Sequence, residues 1–597
     1  MIVKMKRLTL LCLATDRDAA LESLRELGVV HVADRQPPGG AELAALRARL
    51  ADAERALAAL PPESVAAANG PERPADELVA EVLTLLARRR ELGDHADTLH
   101  RELARYEGFG EFDLGDVHEL GAAGIATALG VAPAAASLVA PEGILLTVVA
   151  RDRTRQCFSL VAAGGWESPP PDLGAQYDLV PWPERPLAET REELDADGAE
   201  LERLAARLES LAAGREAVAR HVTRTADAVR VAEVRAGMGE AEAVSFLSGY
   251  LPVHDCDALR GAAVENGWGI VLDDPQLGED VPTLLDQSRW VRPIRTVWDF
   301  LHIYPGYWES DAGWVFLPFF SLFFAMIVGD AGYAALLLLA TAILQWRFKK
   351  VPRHVFHMMY IVGGATLFWG VITGSYFGIP TLPVFLTALE IPWVEDRDNL
   401  IDLCFFIGAV HLSFAHVWNA VTLGRAGAWT KVPAQAGWLV ILWSMFFIAR
   451  QAVLGRGMPW YLLYLLLAGI LLVAVFMKTP KELKGGWIDH ALLPLTMINN
   501  FVDILSYIRL FAVGYASIAV LATFNDIAAS IGFDSVITAV AASLVLLFAN
   551  ALNIVLAGLG VLVHAVRLNT LEFSTHKGLA WQGHNQYTPF ARRREAA

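Results

Sequence analysis

The run Asp503-Ile504-Leu505-Ser506-Tyr507-Ile508-Arg509-Leu510-Phe511-Ala512-Val513-Gly514 sets one guanidinium in an apolar segment that carries no further charge until Asp526. Arginine keeps its proton at any biological pH, so at membrane depth its charge costs from about 3 to more than about 10 kcal/mol, depending on the reference state. Two arrangements make such a residue tolerable. In one, a fixed cation in low dielectric attracts and releases a carboxylate that moves past it, which is the basis of an ion path; in the other, it is paired permanently with an acid on a neighbouring helix. Farther on, Asn550, Asn553, Gly560, His564 and Arg567 follow helical spacing and fall on one stripe, as do Asn499, Ser506, Arg509 and Ala516 in the preceding segment. Two arginines on facing stripes do not neutralise each other. Small and amide residues on a stripe equally serve helix packing, and Arg567, close to the polar tail, is placed to snorkel. Asp503, Ser506, Tyr507, His564, Glu572, His411, His416 and Asp330 are the other polar groups available to line an ion path, and each is equally suited to a packed or interfacial place.

No other constellation resembles a reaction centre. There is no GxxxxGK[ST] phosphate loop and no GxSxG elbow, and the glycine pairs such as Gly363-Gly364 sit inside apolar runs. Cys12, Cys157, Cys256 and Cys404 lie far apart with no CxxC spacing, so neither a disulfide framework nor a zinc site is expected, and no cofactor. A net charge of -16 without a basic, aromatic-interleaved stripe argues against a nucleic-acid binder. Any energy this chain uses comes from elsewhere.

The elements that position these residues fall into two unlike halves. Residues 1–300 are rich in Ala, Leu, Glu and Arg, whereas 301–597 are dominated by long uncharged runs. The N-terminus meets Asp16 too soon for a secretory signal, so the first half is expected in the cytoplasm. Within it, 1–35 and 240–275 read as small α/β lobes, and 41–108 and 187–236 carry leucines at heptad spacing. Leu78, Val82, Leu85, Leu92 and Leu99 on one arm, with Leu194, Leu201, Leu208, Leu211 and Val218 on the other, predict a long antiparallel coiled coil with a lobe at each end; a compact helical bundle fits the same heptads.

In the second half, uncharged windows long enough to span lie near 314–346, 355–379, 401–424, 432–449, 457–477, 491–525 and 535–566. Basic connections at 347–353, 425–431, 478–484 and the tail predict cytoplasmic loops, and acidic ones at 390–402 and 526–534 predict external loops. This alternation is consistent only if the first window crosses an even number of times, broken near Gly329-Asp330-Ala331-Gly332. The expectation is therefore a mostly α chain with cytoplasmic α/β lobes joined by a coiled coil, followed by an eight-helix transmembrane domain.

The run Asn500 to Ala512 closely resembles the signature helix of the a subunit, or subunit I, of V-type and archaeal-type rotary ATPases. Pro282-Thr283-Leu284-Leu285, Val291-Arg292-Pro293, Pro318-Phe319-Phe320, Gly329-Asp330-Ala331-Gly332-Tyr333, Trp369-Gly370, Gly374-Ser375-Tyr376-Phe377-Gly378, Gly408, His411, Asn419 and His564-Ala565-Val566-Arg567-Leu568 with Glu572 match in the family's order. The resemblance implies a non-catalytic stator subunit in a prokaryotic cell membrane, with its N-terminal half and C-terminus cytoplasmic. It implies that this half tethers the membrane part to peripheral stalk subunits, and that the complex includes a central-stalk adaptor and an ATPase head. The membrane half would flank a rotating proteolipid ring whose subunits each carry one carboxylate, moving H+ or Na+ through two half-channels. Arg509 then matches the arginine between the half-channels and Arg567 its partner on the last helix, while Ala557 departs from a position that is acidic in many relatives. A secondary transporter or channel, or a coiled-coil membrane sensor, are the rival classes; neither needs both the heptad arms and Arg509.

Overall fold

The computed structural model describes residues 1–33, 36–62, 73–164, 172–349, 351–379, 383, 386, 388–478, 488, 490–583 and 585–592. Strand β1 (Met5–Leu13) alternates, turning Leu8, Leu10 and Cys12 inward, and α1 (Arg17–Leu27) leads through Gly28, in the left-handed region at φ 64°, to β2 (His31–Ala33). The same order recurs in β8 (Val244–Pro252), α7 (Cys256–Asn266), Gly267 at φ 71° and β9 (Gly269–Asp273). These units do not form separate lobes, contrary to a lobe at each of 1–35 and 240–275. β1 pairs antiparallel with both β8 and β9, giving one sheet in the order β2-β8-β1-β9, with the short β7 (Gly239–Ala241) beside β8. Each unit alone leaves a long strand edge unpaired, and joining the two removes it. This is a split βαβ arrangement with a long insertion between its halves.

The insertion is the helical arm. Helices α2 (Ala41–Ala59) and α3 (Ala75–Tyr106) run outward, and α5 (Leu187–Ser210) and α6 (Arg215–Gly237) return. As numbering rises on the outward side it falls on the return side: Arg47 meets Glu233, Arg88 meets Glu200 and His95 meets Asp197, so the pairs are antiparallel. Leu60, Leu78, Val82, Leu208, Leu211 and Val218 bury together where both directions break, at the α2–α3 connection and at the turn Leu211–Gly214. A Cβ on Gly214 would come within 2.8 Å of Leu78 Cδ1, so the two arms cross closely there and a larger residue would displace the Leu78 side chain. At the far end α4 (Leu114–Ala122) leads into a second sheet of β3 (Ile125–Pro133), β4 (Ile144–Arg151), β5 (Arg155–Ala163) and β6 (Asp178–Val180), in the order β4-β5-β3-β6. The distal lobe is therefore built by 114–180.

Among the described residues of the membrane half, five helices are long and apolar enough to cross a bilayer: Arg353–Ile372, Arg397–Arg425, Trp429–Leu454, Leu493–Ile531 and Val536–Lys577. Three shorter apolar helices accompany them, Gly313–Val328, Ala331–Arg347 and Leu462–Phe476. The break between the first two of these falls at Gly329-Asp330: Gly329 closes one helix at φ 67°, and Asp330 caps the next by accepting from Gly332 N and Tyr333 N. The 39 residues of Leu493–Ile531 and 42 of Val536–Lys577, at about 1.5 Å each, run about 58 and 63 Å against a hydrocarbon core of about 30 Å. Helices this long tilt or project beyond the core.

The chain after the last helix returns to the first lobe. Gly583 N donates to Tyr304 O, Tyr587 OH donates to Val29 O at 2.6 Å, Phe590 N donates to Val30 O at 2.7 Å, and the Phe590 ring buries in the lobe's core beside Leu24 and Val30. Arg230 donates to Pro589 O and lies over the Phe590 ring. Thr588 N donates to His31 Nδ1 at 3.0 Å; burial pushes this imidazole below its ordinary pKa, which keeps Nδ1 an acceptor.

Candidate ion-translocation site

The helix that carries Arg509 is interrupted at Tyr507, between Leu493–Ser506 and Ile508–Ile531. Ser506 Oγ bonds back to Asp503 O at 2.6 Å, and the carbonyl of Ser506, freed at the break, is taken by Arg509 Nε at 2.8 Å. The guanidinium is thereby aimed at the last helix. Arg509 Nη2 donates to Glu572 Oε1 at 2.6 Å, and Arg567 Nε stands 3.5 Å from the same oxygen. Among the described residues, Glu572 Oε2 is buried without a hydrogen-bond partner.

Two π-helical turns, Val561–Ala565 and Leu568–Phe573, make this convergence possible. An i→i+5 turn brings residues five apart onto one side, and Arg567 and Glu572 are five apart. The same turns break the polar stripe expected on this helix. Asn553 faces inward and accepts from Ser517 Oγ at 2.6 Å, and a Cβ on Gly560 would meet Val513 Cγ1 at 2.9 Å, so both pack inside the chain. Asn550 likewise accepts from Tyr333 OH. His564 instead lines an open apolar groove of about 410 Å³ between the last two helices, with Ala512, Ala516, Val520, Leu559 and Val563, and Arg567 is 54% exposed. On the preceding helix Asn499 and Ala516 are exposed and Ser506 and Arg509 half-buried, so that stripe does face outward.

A second polar cluster lies about one turn away. Asp503 Oδ2 is 3.1 Å from His576 Nε2, His576 Nδ1 is 2.9 Å from His416 Nε2, and His416 Nδ1 is 3.0 Å from Gln435 Oε1. His411 is apart from this chain: fully buried, it shares a 2.8 Å hydrogen bond with Tyr507 OH between the Phe319 and Phe573 rings. Tyr507 nests against Gly408, where a Cβ would come within 2.6 Å of its ring. Asp330 stands apart from both clusters, its oxygens occupied by Gly332 N, Tyr333 N and Ser375 Oγ; its place is a helix cap. Sequence reasoning missed His576, because the last span was drawn to end at 566 whereas the helix continues to Lys577, and missed Gln435, inside the window drawn at 432–449, because a lone uncharged amide does not stand out in an apolar run.

The arrangement is two guanidinium groups on one buried carboxylate, beside a hydrogen-bonded His–His–Asp chain. No family model matches this chain. Among curated relatives, V-type ATP synthase subunit I 1 of Treponema pallidum is 30% identical over 99% of this chain and 100% of its own length. V-type ATP synthase subunit I of Borreliella burgdorferi is 33% identical over 58% of this chain and 60% of its own. A-type ATP synthase subunit I of Methanocaldococcus jannaschii is 24% identical over 60% and 56%. The chain belongs to the subunit I family of V- and A-type ATP synthases, the non-catalytic membrane subunits of those rotary complexes.

Proposed function

We propose that this chain is the stator that carries ions between two half-channels against a proteolipid ring, with Arg509 as the fixed cation between them. The observation that carries this reading is the charge of the site: Arg509 and Arg567 share a single carboxylate, Glu572, which leaves one positive charge uncompensated at a surface beside the His564 groove. A carboxylate arriving from outside the chain completes it. A ring carboxylate facing lipid must be protonated; beside Arg509 the anion is favoured, so the proton leaves toward one half-channel, and rotation presents the carboxylate to the other. The fixed cation also repels a proton from crossing directly between the two. The groove supplies an apolar, small-residue wall against which a ring helix packs. In the distal lobe, β4 leaves Leu145, Val148 and Val149 exposed on an edge strand, a surface suited to a peripheral stalk subunit.

A cysteine at Val563 or His564 is expected to crosslink to the ring's outer helix in the assembled complex, and one at Val555, on the other exposed face, is not; ring crosslinks from 555 alone would place the ring elsewhere. Gly560 also lines the groove but is a poorer probe, because a Cβ there would meet Val513 Cγ1 at 2.9 Å and Ile327 Cγ2 at 3.2 Å.

The eight-crossing topology, with both the first lobe and the tail on the cytoplasmic side, is supported by the docking of the tail on that lobe. The four native cysteines are buried, so background labelling is low. Phe348→Cys should react with a membrane-impermeant maleimide only from the cytoplasmic side, and Trp393→Cys only from outside; labelling of both from one side rules out the scheme.

A further inference from the structure

We propose, building on the ion path through Arg509, that His416, His576 and Asp503 form a proton relay at the lobe end of the membrane half, and that the ion carried there is H+. His416 is 5% exposed and the His576 side chain 4%; Trp438 lies nearly parallel to the His416 ring, and Asn419 Nδ2 donates to the backbone carbonyl of His576. The two ends of the chain are more open. Gln435 is half-buried near Lys431, where its helix begins, and Asp503 is 22% exposed. His576 follows Glu572 by one turn, and Asp503 precedes by one turn Ser506, whose carbonyl holds Arg509. The relay therefore leads from the lobe end of the bundle to the residues around the fixed cation.

Proton positions along these contacts are constrained. With Gln435 Oε1 facing His416, Nδ1–H of His416 donates to Gln435, and Nδ1–H of His576 donates to His416 Nε2. His576 Nε2 is then without a proton in the neutral ring, so its 3.1 Å contact with Asp503 requires the proton to be on the carboxyl or the ring to be charged. This is the loaded setting. When Asp503 passes that proton toward the site, two lone pairs face each other. The relay then resets by turning of the two imidazole rings and of the Gln435 amide, so that His576 presents an N–H to Asp503, His416 presents an N–H to His576, and His416 carries a bare nitrogen at the Gln435 end. That nitrogen accepts the next proton from water. One N–H or O–H bond breaks for each one formed, and one proton enters and one leaves per cycle; the opposite direction of pumping runs the same steps in reverse. Two consecutive links are to imidazole nitrogen. Hard cations are held by oxygen cages, which this line of contacts does not provide.

The test uses the complete rotary complex in proteoliposomes, with ATP-driven proton uptake followed by dye quenching. His416→Gln and His576→Gln are each expected to lower uptake about a hundredfold, the low end of what a positioned proton donor contributes, with the complex still assembled. Free imidazole should restore uptake in His416→Ala, which a packing role would not allow. Normal uptake in both Gln variants, or loss in an intact His416→Ala complex without imidazole rescue, overturns the relay; so does ATP-driven uptake of radioactive Na+ that persists when an uncoupler collapses the proton gradient. Arg509→Ala is run alongside: its loss of transport with normal Gln variants refutes the relay alone, whereas transport in Arg509→Ala refutes the ion-path reading beneath it.

Discussion

Arg509→Ala is expected to abolish coupled ion transport while leaving assembly and nucleotide binding by the head largely intact, because on the proposed function the guanidinium acts at the half-exposed surface where the ring passes. Its loss removes the charge that strips protons from ring carboxylates and the barrier to direct leakage, so vesicles should show both failed pumping and a raised passive leak. Arg509→Lys retains a charge but not the fork that spans Ser506 O and Glu572 Oε1 at 2.8 and 2.6 Å. It should therefore be nearly as impaired. Dye-quenching rates near wild type in either variant remove Arg509 from the mechanism.

Glu572→Gln is expected to be the second most damaging change. Removing one partner of a buried ion pair costs about 3–5 kcal/mol, and here it leaves two cations on an uncharged amide. A ring carboxylate drawn to two uncompensated guanidinium groups binds more tightly and leaves more slowly, so steady-state pumping should fall about a hundredfold or more, at about 1.4 kcal/mol per factor of ten. Arg567→Ala alone should be milder, because its side chain is 54% exposed and stands 3.5 Å from Glu572. The double variant Glu572→Gln/Arg567→Ala restores the original net charge of one and is expected to pump better than Glu572→Gln alone. A double variant no better than the single one would mean that Glu572 acts by shape or by carrying protons itself.

Local chemistry left clear marks in the sequence. Gly329-Asp330 carries its own helix stop and helix cap, so the break between two short apolar helices is readable from the residues themselves. The heptad leucines likewise specify which faces of the arms meet. What the sequence does not display is long-range pairing and register. Nothing in residues 1–35 indicates that β1 will lie between β8 and β9, because that choice is made by mutual burial of edges distant in the chain. Nor do π turns have a residue signature. They take His564 and Arg567 out of phase with the inward-facing Asn553 and Gly560 and bring Arg567 to Glu572, so of the two arrangements weighed for Arg509, a pair with an acid is present, but one carboxylate is shared between two cations. His576 escaped notice because charge-free windows end where polar residues begin, even when the helix does not.

The C-terminal tail changes how load travels through the molecule. A soluble arm joined to a membrane body by the segment before Gly313 alone would swivel. Phe590 and Tyr587, seated in the first lobe, supply a second anchorage connected directly to the helix that bears Glu572 and His576. Two separated anchorages convert a hinge into a bracket, and a bracket resists twist. On the proposed function, recoil from a passing rotor would reach the base of the arm through this second anchorage as well as through the segment before Gly313.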